Sequence, residues 1–310
     1  MTVAVTGGAG FIGSHLVDTL LHDGQEVIVI DDLSFGNKLN INKKASFLLK
    51  DIRDDLSNVL KDVDTVFHFA ADGDVRRSTT NPIDSFDINV RGTINLLESC
   101  RKYNISNILF ASSSAVYGEP ASIPTTESSQ CHPVSNYGAA KLACESYLSS
   151  FSNLYGIRTS SIRFANIFGE RCTKGVMHDI FHKLKKNPKY LQIMGNGKQM
   201  KSYLYIADAI SATMKIWDSK SACKYSVYNV GSSSTKTVDE LASSICAYLS
   251  VSPEMQYAGD GVGWIGDIGT MHLDTKKIEA LGWKQQFDFE TGLKNYLDYL
   301  QDKLSDNSLE

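Results

Sequence analysis

A short β-branched run, TVAVT at residues 2–6, passes directly into GGAGFIGSHLVDTLL, and no other stretch constrains the fold as tightly. Gly7, Gly10 and Gly13 recur at three-residue intervals where a strand ends and a helix begins, with Phe11 and Ile12 opening the helix. Glycines there permit a tight turn and bring an anion close to the helix N-terminus, where unpaired N–H groups and the dipole favour negative charge. A second strand, EVIVI at 26–30, leads to Asp31-Asp32, with Asp31 eighteen residues beyond Gly13. A carboxylate in that place accepts from both hydroxyls of a ribose and repels a 2′-phosphate. A glycine turn used only for packing would not need strand, glycines, helix, strand and acid in this order. The pattern predicts a dinucleotide site that takes NAD rather than NADP, with Asp31 on the ribose. Asp51, at the end of a third strand, is either an adenine contact or a surface aspartate.

Further short apolar runs follow at 46–49 (SFLL), 65–69 (TVFHF), 107–111 (NILFA) and 158–164 (RTSSIRF). Each is apolar on both faces, as a strand covered on two sides would be. Helical spacing fills the gaps, for example Ile83, Phe86, Val90, Ile94 and Leu97 in a helix expected over 83–103. Alternating strands and helices imply an α/β fold with a doubly wound parallel sheet. Beyond about residue 168 the regularity weakens. A helix near 176–186, a strand near 190–194, a strand and helix in KSYLYIADAISATMKIW, a strand at 227–230 and a capping box at Thr237 are expected there. The division predicted is a nucleotide domain from 1–168 and about 202–232. A smaller mixed α/β substrate domain takes about 169–201 and 233–310.

The pentapeptide YGAAK places Lys141 one turn after Tyr137 on one helical face. An exposed pair of that kind is worth only about 0.2–0.5 kcal/mol, so stability is a weak reason for it. A free tyrosine has a pKa of about 10, and an ammonium within ~4–6 Å would favour its phenolate. The preceding segment, ILFASSSAVYG, is a strand ending in the hydroxyls of Ser112, Ser113 and Ser114, and strand C-termini in such sheets face the ligand crevice. Read alone, the pentapeptide is a solvent-facing pair. Beside a dinucleotide loop it is a candidate base and its activator.

The motifs TGGAGFIG, DDLSFG, HFAA, SSSAVYG, YGAAK and RFANIFG, spread over nearly the whole chain, resemble the extended short-chain dehydrogenase/reductase family. Within it the chain is most similar to the nucleotide-sugar epimerases, those acting on UDP-glucose in particular. The resemblance implies a Rossmann fold, bound NAD, a UDP-sugar substrate and a homodimer. It implies that Tyr137 is the catalytic base, that Lys141 binds the nicotinamide ribose and lowers the tyrosine pKa, and that Ser113 is the catalytic hydroxyl. Asp51 and Ile52 would border the cofactor, Phe69 and Ala70 would line it, and Asn89 in NVRGTINLL resembles the family's active-site asparagine. Ser112 would sit beside the cofactor, and Ser114 beside the sugar.

Asn166 matches a residue that contacts the sugar nucleotide, and Lys201 stands where an arginine usually pairs with the diphosphate. Trp264, in GWIGD, stands where a second arginine often does. Met271 would lie near the sugar. Dehydratases and decarboxylases of the family carry acids directly after the catalytic hydroxyl, and here those places hold Ser114 and Ala115. The expectation is therefore interconversion of UDP-galactose and UDP-glucose. Epimerases of UDP-N-acetylhexosamines or UDP-glucuronate, and a non-catalytic NAD-binding regulator, are the competing readings. The long helices expected over 83–103 and from 137 fit either sheet cover or dimer contacts.

Composition excludes other classes. The formal charge is −4, and the basic clusters are Lys43-Lys44 and the KLKK run at 183–186, which argues against nucleic-acid or anionic-membrane surfaces. Six cysteines without a CxxC spacing suggest reduced thiols, and no apolar run reaches the ~18 residues of a membrane span, so a cytoplasmic enzyme is expected. HDIFH at 178–182 imitates a zinc-binding helix. It lacks the glutamate base and an evident third ligand, so no metal is expected.

Overall fold

A computed structural model describes residues 1–219, 223–259, 261, 263, 264 and 266–305. The first half runs β1 (Thr2–Thr6), α1 (Phe11–His22), β2 (Glu26–Asp31), β3 (Ser46–Leu49), β4 (Thr65–His68), α2 (Val75–Thr80), α3 (Pro82–Phe86), α4 (Gly92–Lys102), β5 (Asn107–Ser113), α5 (Asn136–Tyr155) and β6 (Arg158–Phe164). It continues through β7 (Asn166–Phe168), α6 (Val176–Lys186), β8 (Tyr190–Met194), β9 (Met200–Tyr205), α7 (Ile206–Asp218) and β10 (Tyr225–Val230). Then come β11 (Thr235–Thr237), α8 (Val238–Leu249), β12 (Glu254–Ala258), β13 (Thr270–Met271), α9 (Lys276–Glu279) and α10 (Phe289–Ser305).

Seven strands form one sheet in the order β10-β6-β5-β4-β1-β2-β3, and every pairing in it is parallel. This is the doubly wound α/β sheet expected. Because β1 pairs with β2 on one side and β4 on the other, the winding reverses between β1 and β4, and a crevice opens at their C-terminal ends. The β1 and β4 side chains are almost wholly buried, as strands covered on both faces must be. SFLL departs from that pattern: β3 is the edge strand of the sheet, and its Leu48 and Leu49 are exposed.

The helix expected over 83–103 is interrupted. A π-helical turn, Asp87–Arg91, separates α3 from α4, and Asn89 and Val90 are its buried residues. Such wide turns insert a residue into a helix and re-aim its side chains. The capping box at Thr237 is present in full, each partner bonding the other's backbone N–H.

The smaller half holds a sheet ordered β11-β9-β13, with β7 also pairing β9, and a separate β8-β12 pair. The domain boundaries near 168 and 202 therefore shift. Both β7 and β9 belong to the small sheet, whereas α7 packs on α1 and β10 completes the large one. Pairings across long sequence separations decide that allocation, and local pattern does not carry them. The small half, expected to reach 310, is described as far as Ser305.

Candidate active site

Two cavities open at the strand ends. The smaller is bordered by Gly7, Gly10, Asp31, Phe35, Asp51, Ile52, Phe69 and Ala70, which brings half of the predicted dinucleotide residues together. Gly7 has φ +71°, and a Cβ there would fall 2.5 Å from the Ala70 nitrogen; at Gly13 it would fall 2.2 Å from the Gly7 oxygen. No larger residue fits at Gly7 or Gly13, and the space the turn leaves lies at the N-terminus of α1, whose first turn holds no acid. The donor set and the cradle fit a dinucleotide diphosphate.

Asp31 is buried and accepts from the backbone N–H groups of Ala9 (3.0 Å) and Leu33 (2.8 Å), so it also clips the glycine loop to the loop beyond β2. Burial raises its pKa, opposed by those two bonds. Asp51 is committed to Arg53, whose Nε donates to both carboxylate oxygens at 2.9 Å. Asn89 is a bracket: its amide accepts from Asp72 N (2.9 Å) and donates to Asp72 O (3.1 Å).

The larger cavity, about 570 Å³, is lined by Ser113, Ser114, Tyr137, Asn166, Lys201 and Met271 among others, and has the size of a small-molecule site. Ser135 caps α5 by accepting from Gly138 N (3.1 Å), and Tyr137 N donates to the buried Ser78 hydroxyl of α2 (3.1 Å), fixing where the helix starts. Of the three serines only Ser113 and Ser114 line this cavity. Ser112 points the other way, donating to buried Glu145, because successive strand residues face opposite sides.

Tyr137 and Lys141 share a face as expected, with Lys141 Nζ 5.8 Å from the tyrosine ring centre. The electrostatics differ from expectation. Burial pushes the phenol up to about 12, a Ser113 hydrogen bond draws it back, and the Asp72 charge adds to the rise. Burial also draws Lys141 down to about 8. Its ammonium donates to Ala111 O at 2.7 Å. In the chain by itself, burial outweighs any activation of the phenol by this lysine.

Lys201 Nζ lies 2.5 Å from Asp267 Oδ1, Asn166 donates to Ser202 O (3.3 Å), and Met271 is buried on β13 beside Lys201. Sequence reading missed Arg76, which lines this cavity with its guanidinium 4.1 Å from the Trp264 ring centre. The available signal was the DVRR stretch just beyond β4, on the crevice side of the sheet. In the HDIFH helix the His178 and His182 rings lie 4.2 Å apart, Asp179 pairs with Lys183, and burial lowers His178 to about 4. Among the described residues no group of three or more ligating side chains is gathered.

The family description for NAD-dependent epimerases and dehydratases matches residues 3–231. The chain belongs to that family. A Methanocaldococcus jannaschii relative, named provisionally as a UDP-glucose 4-epimerase, is 40% identical over 96% of this chain and 98% of its own. Among solved structures, the Thermus thermophilus UDP-glucose 4-epimerase in complex with NAD is 33% identical, with a TM-score of 0.89 over 97% of this chain and 99% of that one. A UDP-N-acetylglucosamine 4-epimerase from Methanobrevibacter ruminantium is 32% identical, with a TM-score of 0.90 over 97% of this chain and 98% of that one. The family's cofactor, NAD, matches the glycine cradle, Asp31 and the crevice at the winding reversal. No helix among the described residues is long and apolar enough to cross a membrane.

Proposed function

We propose that this chain is a UDP-glucose 4-epimerase, interconverting UDP-galactose and UDP-glucose through a transient 4-keto sugar. The observation that carries the reading is one cavity holding Ser113, Tyr137 and Lys201 with no acid at 114 or 115. The carboxylates lining it are already engaged: Asp267 with Lys201, Asp179 with Lys183 and Asp74 with Lys174. Loss of water from C5 and C6 would need a further free acid, whereas epimerisation needs one base used twice.

The larger half is assigned to the dinucleotide and the small-sheet half to the sugar nucleotide. Bound NAD supplies the hydride acceptor and, in its oxidised form, a positive charge that lowers the tyrosine pKa. Tyr137 takes the proton of the 4-hydroxyl, and Ser113 orients that oxygen by hydrogen bonding. Lys141 supports the phenolate and holds the nicotinamide ribose. Lys201 and Asn166 anchor the nucleotide, so the keto sugar can turn over without escaping, and Tyr137 returns the proton after reduction on the other face. Met271 sets how much room the sugar has, which makes it the first residue to vary when testing N-acetylated substrates. The exposed Ile83 and Phe86 of α3 with Tyr147, Leu154 and Tyr155 of α5 are assigned to a homodimer contact.

The test supplies the NAD-loaded protein with UDP-galactose and follows UDP-glucose by a coupled assay, and any 4-keto-6-deoxy product by its absorbance in alkali. Formation of UDP-glucose alone is expected. Accumulation of the deoxy product would overturn the reaction; turnover of UDP-N-acetylglucosamine or UDP-glucuronate in place of both UDP-hexoses would overturn the substrate.

A further inference from the structure

Four cations line the larger cavity: Arg76, Lys174, Lys183 and Lys201. Three already face carboxylates, Lys174 with Asp74 at 3.6 Å, Lys183 with Asp179 at 3.3 Å and Lys201 with Asp267 at 2.5 Å. Among the described residues Arg76 has no carboxylate within ion-pair range. Its guanidinium instead lies over the Trp264 ring, 4.1 Å from the centre, and Lys201 Nζ is 5.6 Å from that same centre. One indole therefore gathers two cations, one from α2 in the large half and one from β9 in the small half, and of the two it is Lys201 that is paired with a carboxylate, Asp267. An arginine over an aromatic ring keeps its in-plane N–H fork free, and that fork matches phosphate geometry. The arrangement has spare positive charge and spare donors at a wall of the cavity.

Resting on the UDP-sugar reading above, we infer that Arg76, steadied by Trp264, is the second cation of a diphosphate clamp whose first is Lys201. The sugar nucleotide is then gripped from both halves of the molecule at once. Because α2 also carries Ser78, which bonds the backbone of Tyr137, the same short helix links the grip to the start of the helix bearing the base. The interaction acts on ground and transition states alike, so its loss raises KM more than it lowers kcat.

Calorimetric titration of UDP into the NAD-loaded parent, Arg76→Ala and Arg76→Lys proteins tests this, with KM and kcat for UDP-galactose measured on each. Arg76→Ala is expected to weaken UDP about 10- to 100-fold, as loss of a charge-assisted contact does, with NAD content and melting temperature unchanged. Arg76→Lys should recover part of that affinity. UDP binding by Arg76→Ala equal to the parent's overturns the role of Arg76 alone, and so does a loss confined to kcat. Failure of the parent to bind UDP would instead overturn the UDP-sugar reading and this inference with it.

Discussion

Lys141 and Glu145 lie one turn apart on α5 and are equally buried, at 3% exposure each, yet their surroundings are opposite. Glu145 accepts from Arg163 Nε (3.0 Å) and Nη2 (2.7 Å) and from Ser112. Arg163 also donates to the Tyr117 hydroxyl (2.9 Å), which donates to Asn229 Oδ1 (2.7 Å). That network ties β5, α5, β6 and β10 together and satisfies every charge in it. Lys141 donates to one backbone carbonyl and, among the described residues, has no carboxylate within ion-pair range. A buried pair with its hydrogen bonds filled is architecture; a buried amine left without a counter-charge costs stability and marks a place where chemistry has kept it.

The largest effect should come from the turn before Lys141. Tyr137→Phe is expected to lower kcat by about 10² to 10⁴, the worth of a positioned acid-base group, while NAD content and melting temperature stay at parental values. Near-parental turnover would remove Tyr137 from the role of base.

On the other side of the contrast, Glu145→Ala strands a buried guanidinium and should destabilise the fold by about 3–5 kcal/mol in denaturant melts. A loss of activity without a loss of stability would mean that the Glu145 network belongs to the chemistry after all.

Lys141→Met sharpens the comparison through pH. The folded pKa, about 8, lies below the ordinary value of 10.5, so the unfolded chain binds the extra proton between those limits. The penalty for burying the charge is therefore full below pH 8 and fades as pH rises from 8 to 10.5, and the parent gains stability across that window. At pH 7 the variant should be no less stable than the parent and far less active. As pH rises to 10.5 the parent should gain on it, the whole swing being on the order of 3 kcal/mol. A variant destabilised at pH 7 would erase the distinction between the two residues.

The smallest effects separate neighbours on β5. Ser112→Ala should cost about 1–2 kcal/mol of stability with little change in turnover, whereas Ser113→Ala should do the reverse.

What was legible in the sequence was local. The strand, glycines, helix and acid at residues 2–31 announce themselves by spacing, as do α6, β8 and the Thr237 capping box, because each is fixed by side chains within a few residues. The opposed directions of Ser112 and Ser113 follow from strand pleating, but only once the strand is known to continue through both. Arg76 reaches Trp264 across more than half the length of the chain, and β9 joins the small sheet through partners on three separate segments. The pKa values were the least accessible: adjacency on a helix predicts that Lys141 assists Tyr137, and burial of both, a property of the finished core, outweighs that assistance in the chain by itself.

The interleaving of the two sheets bears on how this chain is made. Small-sheet strands come from 166–168, 200–205, 235–237 and 270–271, and the last strand of the large sheet, 225–230, falls between them. On a ribosome that releases residues in order, β6 would be a bare edge until some sixty more residues had emerged, a distance read from Phe164 to Tyr225. A nascent chain halted in that interval offers an unpaired template to its neighbours on the polysome. Truncation anywhere before residue 230 should accordingly yield aggregates rather than a smaller working domain.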